Sequence, residues 1–245
     1  MRTVAIATAL LATGAIAAPN TAARWARHAA PATRKRVEFS TVWAGAVVTD
    51  TGFTSVSATV KLPVPKTEIT SASAAAWVGI DGDTCNHAIL QTGVDFSVDG
   101  SGQVSYDAWY EWWPSLAFDF TDFALTGGDE IRMNVTADSA LTSGVATLEN
   151  LSTGDSVTHT FSSSSTVQLC GFDAEWIVED YEEGFGQVAL DDFDSVTFTD
   201  AAAIKSGEAV GVTNATIFDI QQNGVTLTDC GVTDSSTVFC NYVSQ

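Results

Sequence analysis

The chain has 245 residues, is 45% hydrophobic, and sets 10 Lys and Arg against 30 Asp and Glu, for a formal net charge of −20. That apolar share builds a sizeable core and excludes global disorder, and the length suits one all-β domain. So acidic a surface repels phosphates and anionic lipids, which excludes nucleic acid and membrane surfaces as partners.

The charge is divided along the chain. Residues 1–36 hold Arg2, Arg24, Arg27, Arg34, Lys35 and Arg36 and no acid, whereas residues 37–245 set Lys61, Lys66, Arg132 and Lys205 against all 30 acids. Arg2 is a short positive start, Val4–Ala18 is apolar apart from Thr8, Thr13 and Gly14, and Ala15-Ile16-Ala17 offers a small-residue cleavage site. Residues 1–18 therefore read as a secretory signal peptide, too short for a membrane anchor, and the protein as secreted. Residues 19–36 are Ala-rich and basic and end in Arg34-Lys35-Arg36, a cluster that a processing protease could cut. They read as a pro-segment that lies against the acidic domain formed by residues 37–245.

In that domain, short runs rich in Val, Ile, Thr, Phe and Trp alternate with Gly/Asp/Ser/Thr clusters. Strands are predicted over Ala88–Phe96, Val104–Trp113, Glu130–Ala137, Val145–Asn150, Ala174–Tyr181, Ser195–Thr199, Thr213–Gln221 and Val225–Thr228. Turn signals separate them at Asp99-Gly100, Thr126-Gly127-Gly128, Thr153-Gly154-Asp155 and Asn223-Gly224. Helical periodicity is missing except for one possible turn over Ala201–Ile204. The pattern predicts a two-sheet antiparallel sandwich.

Cys85, Cys170, Cys230 and Cys240 are even in number, as an exported disulfide framework requires. Cys230 and Cys240 flank a hairpin turn at Asp234-Ser235-Ser236, which pairs them and leaves Cys85 with Cys170. No C-x-x-C or paired-His spacing occurs, so neither zinc nor another metal is implied. Asn134, Asn150 and Asn214 begin sequons and are glycosylation candidates.

Alternation tells which side chains share a face. In Val104–Trp113, Asp107, Trp109, Glu111 and Trp113 lie opposite Tyr106, Ala108, Tyr110 and Trp112. In Ala88–Phe96, Ile89, Gln91, Gly93 and Asp95 lie opposite an apolar row. In Ala174–Tyr181, Glu175, Ile177, Glu179 and Tyr181 face away from Ala174, Trp176 and Val178. Trp77, Gly79 and Asp81 share a face as well. If these strands are neighbours, they line a groove with carboxylates, an amide and indoles, the composition of a binding cleft. Gln91 is the most specific of these residues, because an amide among apolar strand residues is costly to bury without partners.

The segments Trp77–Cys85, Ala88–Gly93, Tyr106–Trp112 and Ala174–Glu183 resemble the glutamic peptidases of fungi, the eqolisins, and the likeness runs in order through nearly all of residues 40–245. The resemblance implies a lectin-like (concanavalin-type) sandwich of two seven-stranded antiparallel sheets. It also implies an acid endopeptidase acting on protein or peptide substrates. No cofactor is expected, and a monomer is expected because nothing in the sequence suggests a larger assembly. Carried over residue by residue, the catalytic pair is Gln91 and Glu179. The cleft residues are Trp43, Trp77, Asp81, Asp107 and Glu111, with Tyr181 where the family often has Phe. Cys85 and Cys170 match the family's long-range disulfide. Trp113 departs from the family's Tyr, and Gly184–Asp194 lacks the extra cysteine pair of some members.

The implied chemistry is sound in itself. A carboxylate can activate water and return the proton to the leaving amine, and an amide can donate to a developing oxyanion. A base of low pKa would stay partly ionised in acid, where His87 and His159 are charged and useless as bases. Asp50-Thr51-Gly52 has no second copy to complete an aspartic dyad, so it reads as a turn. The alternatives are a glycoside hydrolase using Glu111 and Glu179, or a carbohydrate-binding protein on the same sandwich. Neither needs Gln91.

Overall fold

A computed structural model describes residues 37–66, 71–163, 166–183, 186–187 and 189–243, which fall in one compact unit. The expected signal peptide and pro-segment lie outside the described residues. The chain first forms β1 (Val37–Ser40), β2 (Trp43–Thr49), β3 (Phe53–Lys61), β4 (Ala72–Ile80), β5 (Ile89–Val98) and β6 (Val104–Trp113). There follow β7 (Phe118–Asp119), β8 (Glu130–Ala137), β9 (Gly144–Asn150), β10 (Ser156–Phe161), β11 (Asp173–Glu179), β12 (Glu182–Glu183) and β13 (Gly186–Gln187). The last are β14 (Ser195–Lys205), β15 (Glu208–Val210), β16 (Thr216–Gln222), β17 (Val225–Thr226), β18 (Thr228–Val232) and β19 (Val238–Tyr242).

One sheet has nine strands, in the order β1-β16-β2-β11-β4-β5-β6-β7 with β17 on β16. The other has eight, in the order β10-β9-β8-β3-β14-β19-β18 with β15 on β14. Short flanking strands raise these counts above the expected seven. Only the pairing of β1 with β16 is parallel among the described ladders.

Period-two alternation places the core between the sheets. Ala44, Ala76, Val94, Trp112 and Trp176 of the nine-stranded sheet meet Val56, Ala58, Val135, Leu148 and Phe198 of the eight-stranded one. On the opposite face of the nine-stranded sheet, Val47, Ala75, Trp77, Trp109, Ile177 and Phe218 form a second cluster, with Trp43 and Tyr181 packed against it. A sheet with apolar clusters on both faces has only half its burial explained by the sandwich. The outer cluster marks where the site sits.

The helical turn expected at Ala201–Ile204 is instead part of β14. Ala201 and Ala203 are buried while Ala202 and Ile204 are partly exposed, a strand period. The ladders to β3 and β15, with a register shift between Thr199 and Ala202, override alanine's helical preference. The Asp234-Ser235-Ser236 hairpin joins β18 to β19, and Asp50-Thr51-Gly52 is the turn from β2 to β3.

Candidate active site

Strand register builds the outer face in rows. Gly79 of β4 pairs with Gln91 of β5, Gln91 with Glu111 of β6, and Glu175 of β11 with Gly79. The next row runs Ile177, Trp77, Gly93, Trp109. The third runs Trp43, Glu179, Ala75, Asp95, Asp107. Gln91 and Glu179 therefore share a face, with the Trp77 row between them.

Trp77 is wholly buried because glycines make room for it. A Cβ at Gly93 would stand 2.6 Å from Trp77 Cβ and 2.5 Å from the Ala76 carbonyl oxygen, and one at Gly79 would stand 2.9 Å from the Trp77 ring. The indole lies across this floor and donates from Nε1 to Glu179 Oε2 at 2.7 Å. Trp43 meets Trp77 edge to face at 5.3 Å and is a second donor to Glu179. Even so, desolvation dominates and pushes Glu179 from 4.5 up to about 7, with the charges of Glu111 and Asp180 adding to it. The expectation of a low-pKa base is thus overturned, because the apolar floor outweighs the two indole donors.

Gln91 is 6% exposed, and its Nε2 donates to Glu111 Oε2 at 2.5 Å. Its Oε1 is buried without a hydrogen-bond partner. Burial raises Glu111 above the usual carboxylate range, opposed by the bond from Gln91.

Asp95, which alternation puts on the cleft face but which was not among the residues carried over from the family, belongs to the site. Burial, with the charges of Asp107, Glu179 and Asp119, lifts it to about 7 against the bond it accepts from Trp109 Nε1 at 2.6 Å. The signal was its alternation with Gln91 and Gly93. Asp107 faces it across the β5–β6 ladder and is exposed. Tyr181 follows β11 and packs on the outer cluster.

Asp81 is a correction. It was expected in the cleft, but it is fully buried and turns away at a left-handed φ of 69° at the end of β4. Its carboxylate accepts from the backbone N–H groups of Cys170, Gly171, Phe172 and Asp173. Asp173 reciprocates by accepting from the Thr84 and Cys85 amides. The Cys85–Cys170 disulfide closes the same junction, and Cys230–Cys240 staples β18 to β19. Asn150 is also corrected as a glycan acceptor: it is fully buried, with its amide donating to Asp129 and its carbonyl accepting from Ser152. Asn134 is half-buried and Asn214 exposed.

Residues 41–242 match the Peptidase A4 family. The chain belongs to that family, the eqolisins. It is 45% identical to aspergillopepsin-2 of Aspergillus niger, over 94% of this chain and 95% of the relative. It is 44% identical to scytalidopepsin B of Scytalidium lignicola, over 82% of this chain and 77% of the relative. A crystal structure of scytalido-glutamic peptidase with a peptide-based transition-state analogue superposes with a TM-score of 0.75 at 44% identity, covering 83% of this chain and 98% of that one. This A4 peptidase is therefore a glutamic-type acid endopeptidase on an all-β sandwich. Membership sets aside the glycoside hydrolase and carbohydrate-binding readings.

Proposed function

We infer that this A4 peptidase is secreted and cleaves protein or peptide substrates with Glu179 as the proton shuttle and Gln91 as the group that stabilises the tetrahedral intermediate. One observation carries the reading. Trp77 lies between the Glu179 carboxyl, which it binds, and a buried amide with hydrogen-bonding capacity unspent. An orphaned buried acceptor is costly, and functional sites are where such groups persist. The transition-state analogue held by a relative supports peptide substrates for this chain too.

The raised pKa sets the order of events. With a pKa of about 7, Glu179 carries its proton in the free protein throughout acid pH. Protonated Glu179 gives that proton to the scissile carbonyl oxygen as water attacks, while the Gln91 amide donates to the same oxygen. The carboxylate so formed takes a proton from the added water and passes it to the leaving nitrogen. As the C–N bond breaks, the carboxylate takes back the proton of the hydroxyl it had made, which becomes the carbonyl of the new acid, and the enzyme ends as it began. Family and chemistry agree here, because an acid-loaded Glu179 explains an acid endopeptidase better than an ionised base does.

The test is kcat/KM of the processed enzyme between pH 3 and 9, with Glu179→Gln alongside. The expected profile is flat in acid and falls through about 7, where Glu179 ionises. The Glu179→Gln enzyme should lose nearly all turnover while staying folded. Activity that falls tenfold per unit below pH 7 would show that the ionised form is needed at the start. Near-normal turnover of Glu179→Gln would remove Glu179 from the chemistry.

A further inference from the structure

We propose that Glu111 is a positioning residue that fixes the orientation of the Gln91 amide, rather than a contact for substrate. The proposal rests on the reading of Gln91 as the stabilising donor and explains how the fold aims it.

An amide side chain has two ends of nearly equal shape, one that donates and one that accepts. Nothing in the shape of Gln91 decides which end faces which way. Its neighbours on the same face are Gly79, which has no side chain, and Glu111, directly opposite across the β5–β6 ladder. An ionised carboxylate can only accept, so in that form Glu111 draws Nε2 and repels Oε1. The 2.5 Å contact from Gln91 Nε2 to Glu111 Oε2 is that selection made. One hydrogen of Nε2 is then spent on Glu111, and the planar amide fixes the direction of the other. Oε1, which has no partner, points away from Glu111 by the same geometry. A flipped amide would press two acceptors together and leave both Nε2 hydrogens undirected.

Register makes the arrangement rigid. Ten consecutive pairs join β5 to β6, from Ile89↔Trp113 to Val98↔Val104, so Glu111 cannot slide past Gln91. Trp112, the next residue, is anchored in the core with its Nε1 donating to the Val167 carbonyl at 2.8 Å. Trp109, two residues earlier, is held by Asp95. Glu111 is thus pinned on both sides and carries its partner with it.

The experiment is a double-mutant cycle in the processed enzyme, using Gln91→Ala, Glu111→Leu and the double variant, with Glu111→Gln as a shape-preserving companion. Each is assayed at its own pH optimum, so that a moved Glu179 ionisation is not mistaken for lost aim. Folding is checked by circular dichroism and Tm at pH 4. Gln91→Ala should lower kcat about 10²–10³-fold, the usual effect of one oxyanion donor. Glu111→Leu should lower kcat by about 10²-fold with KM within about threefold, as for a misplaced catalytic group. Glu111→Gln, which can meet the amide in either orientation, should fall between wild type and Glu111→Leu. The double variant should be no slower than Gln91→Ala, because Glu111 acts only through Gln91. If the losses multiply, or if Glu111→Leu raises KM and keeps kcat, Glu111 touches substrate and the positioning role is overturned while Gln91 keeps its part. If Gln91→Ala itself turns over normally, the underlying reading falls and this proposal with it. Should Glu111→Leu fail to fold, the same cycle run with Glu111→Gln decides between these outcomes.

Discussion

At the scale of single residues, the site depends on space as much as on charge. Gly93 is the clearest case. Gly93→Ala would drive a methyl into the Ala76 carbonyl and the Trp77 side chain, and both distances are below any ordinary contact. Overpacking of this kind costs about 1–3 kcal/mol, and here it also tips the indole that holds Glu179. We expect a lower Tm together with a loss of kcat, measured on the same preparation. Trp77→Phe separates the two effects. It keeps an aromatic floor but removes the donor that lowers the Glu179 pKa. The alkaline limb of kcat/KM should therefore move to higher pH, and a limb that moves lower or stays fixed would contradict the assignment of that limb to Glu179. None of this was legible in the sequence. Gln91 and Glu179 stood out by motif, but the pKa of Glu179 is set by burial and by Trp77 and Trp43, which meet it only across the sheet.

At the scale of elements, alternation was a sound guide where both faces of a strand had distinct jobs. Val104–Trp113 and Glu130–Ala137 form over the bounds expected; polar and apolar residues alternate without interruption in the second, and only Trp109 and Trp113 break the alternation in the first. It failed at strand ends. Asp81 follows the face pattern of Trp77 and Gly79, but the left-handed turn at its own Cα rotates it out of the row. The junction it makes has a testable consequence. Asp81→Ala leaves four backbone N–H groups without their acceptor, which should cost at least about 2 kcal/mol, as hydrogen bonds to a charged group are worth about 1.5–3 kcal/mol each. Molecules that remain folded should keep near-normal KM. A raised KM with unchanged Tm would return Asp81 to the cleft. The disulfide at the same place closes a long loop, with Cys85 and Cys170 separated by 85 residues. Its removal should cost about 4–5 kcal/mol on the chain-entropy estimate.

At the scale of the whole molecule, buried acids make stability a function of pH. Asp95 and Glu179 are raised to about 7, Asp180 to about 6 and Asp191 to about 8, all chiefly by burial. In the unfolded chain such groups titrate near 4. Between pH 4 and 8 the native state therefore holds more protons than the unfolded state, and stability falls as pH rises. The Tm should be highest in acid and drop steadily towards pH 8. Asp191 is fully buried with neither carboxylate oxygen hydrogen-bonded. Asp191→Asn should be near neutral at pH 4 and stabilising by on the order of 1–4 kcal/mol at pH 7. A Tm that rises with pH would refute the account. The 30 acids of residues 37–245 bear on residues 19–36, which carry Arg24, Arg27, Arg34, Lys35 and Arg36. A synthetic 19–36 peptide should inhibit the processed enzyme more strongly as pH rises from 3 to 7 and less strongly as salt is added. Inhibition indifferent to salt would leave the segment as a leader with no electrostatic hold on the domain.

The order of strands has a consequence in time. Glu179 rides on β11, which is inserted between β2 and β4, although more than 90 residues separate β4 from it in the chain. During synthesis β2 and β4 emerge first and cannot close on each other without shutting β11 out. Pairings of such long sequence separation form slowly. If Gln91 and Glu179 act as the proposed pair, Gln91 is made first and waits for a partner delivered by the second half of the chain, and no functioning protease exists until that strand docks.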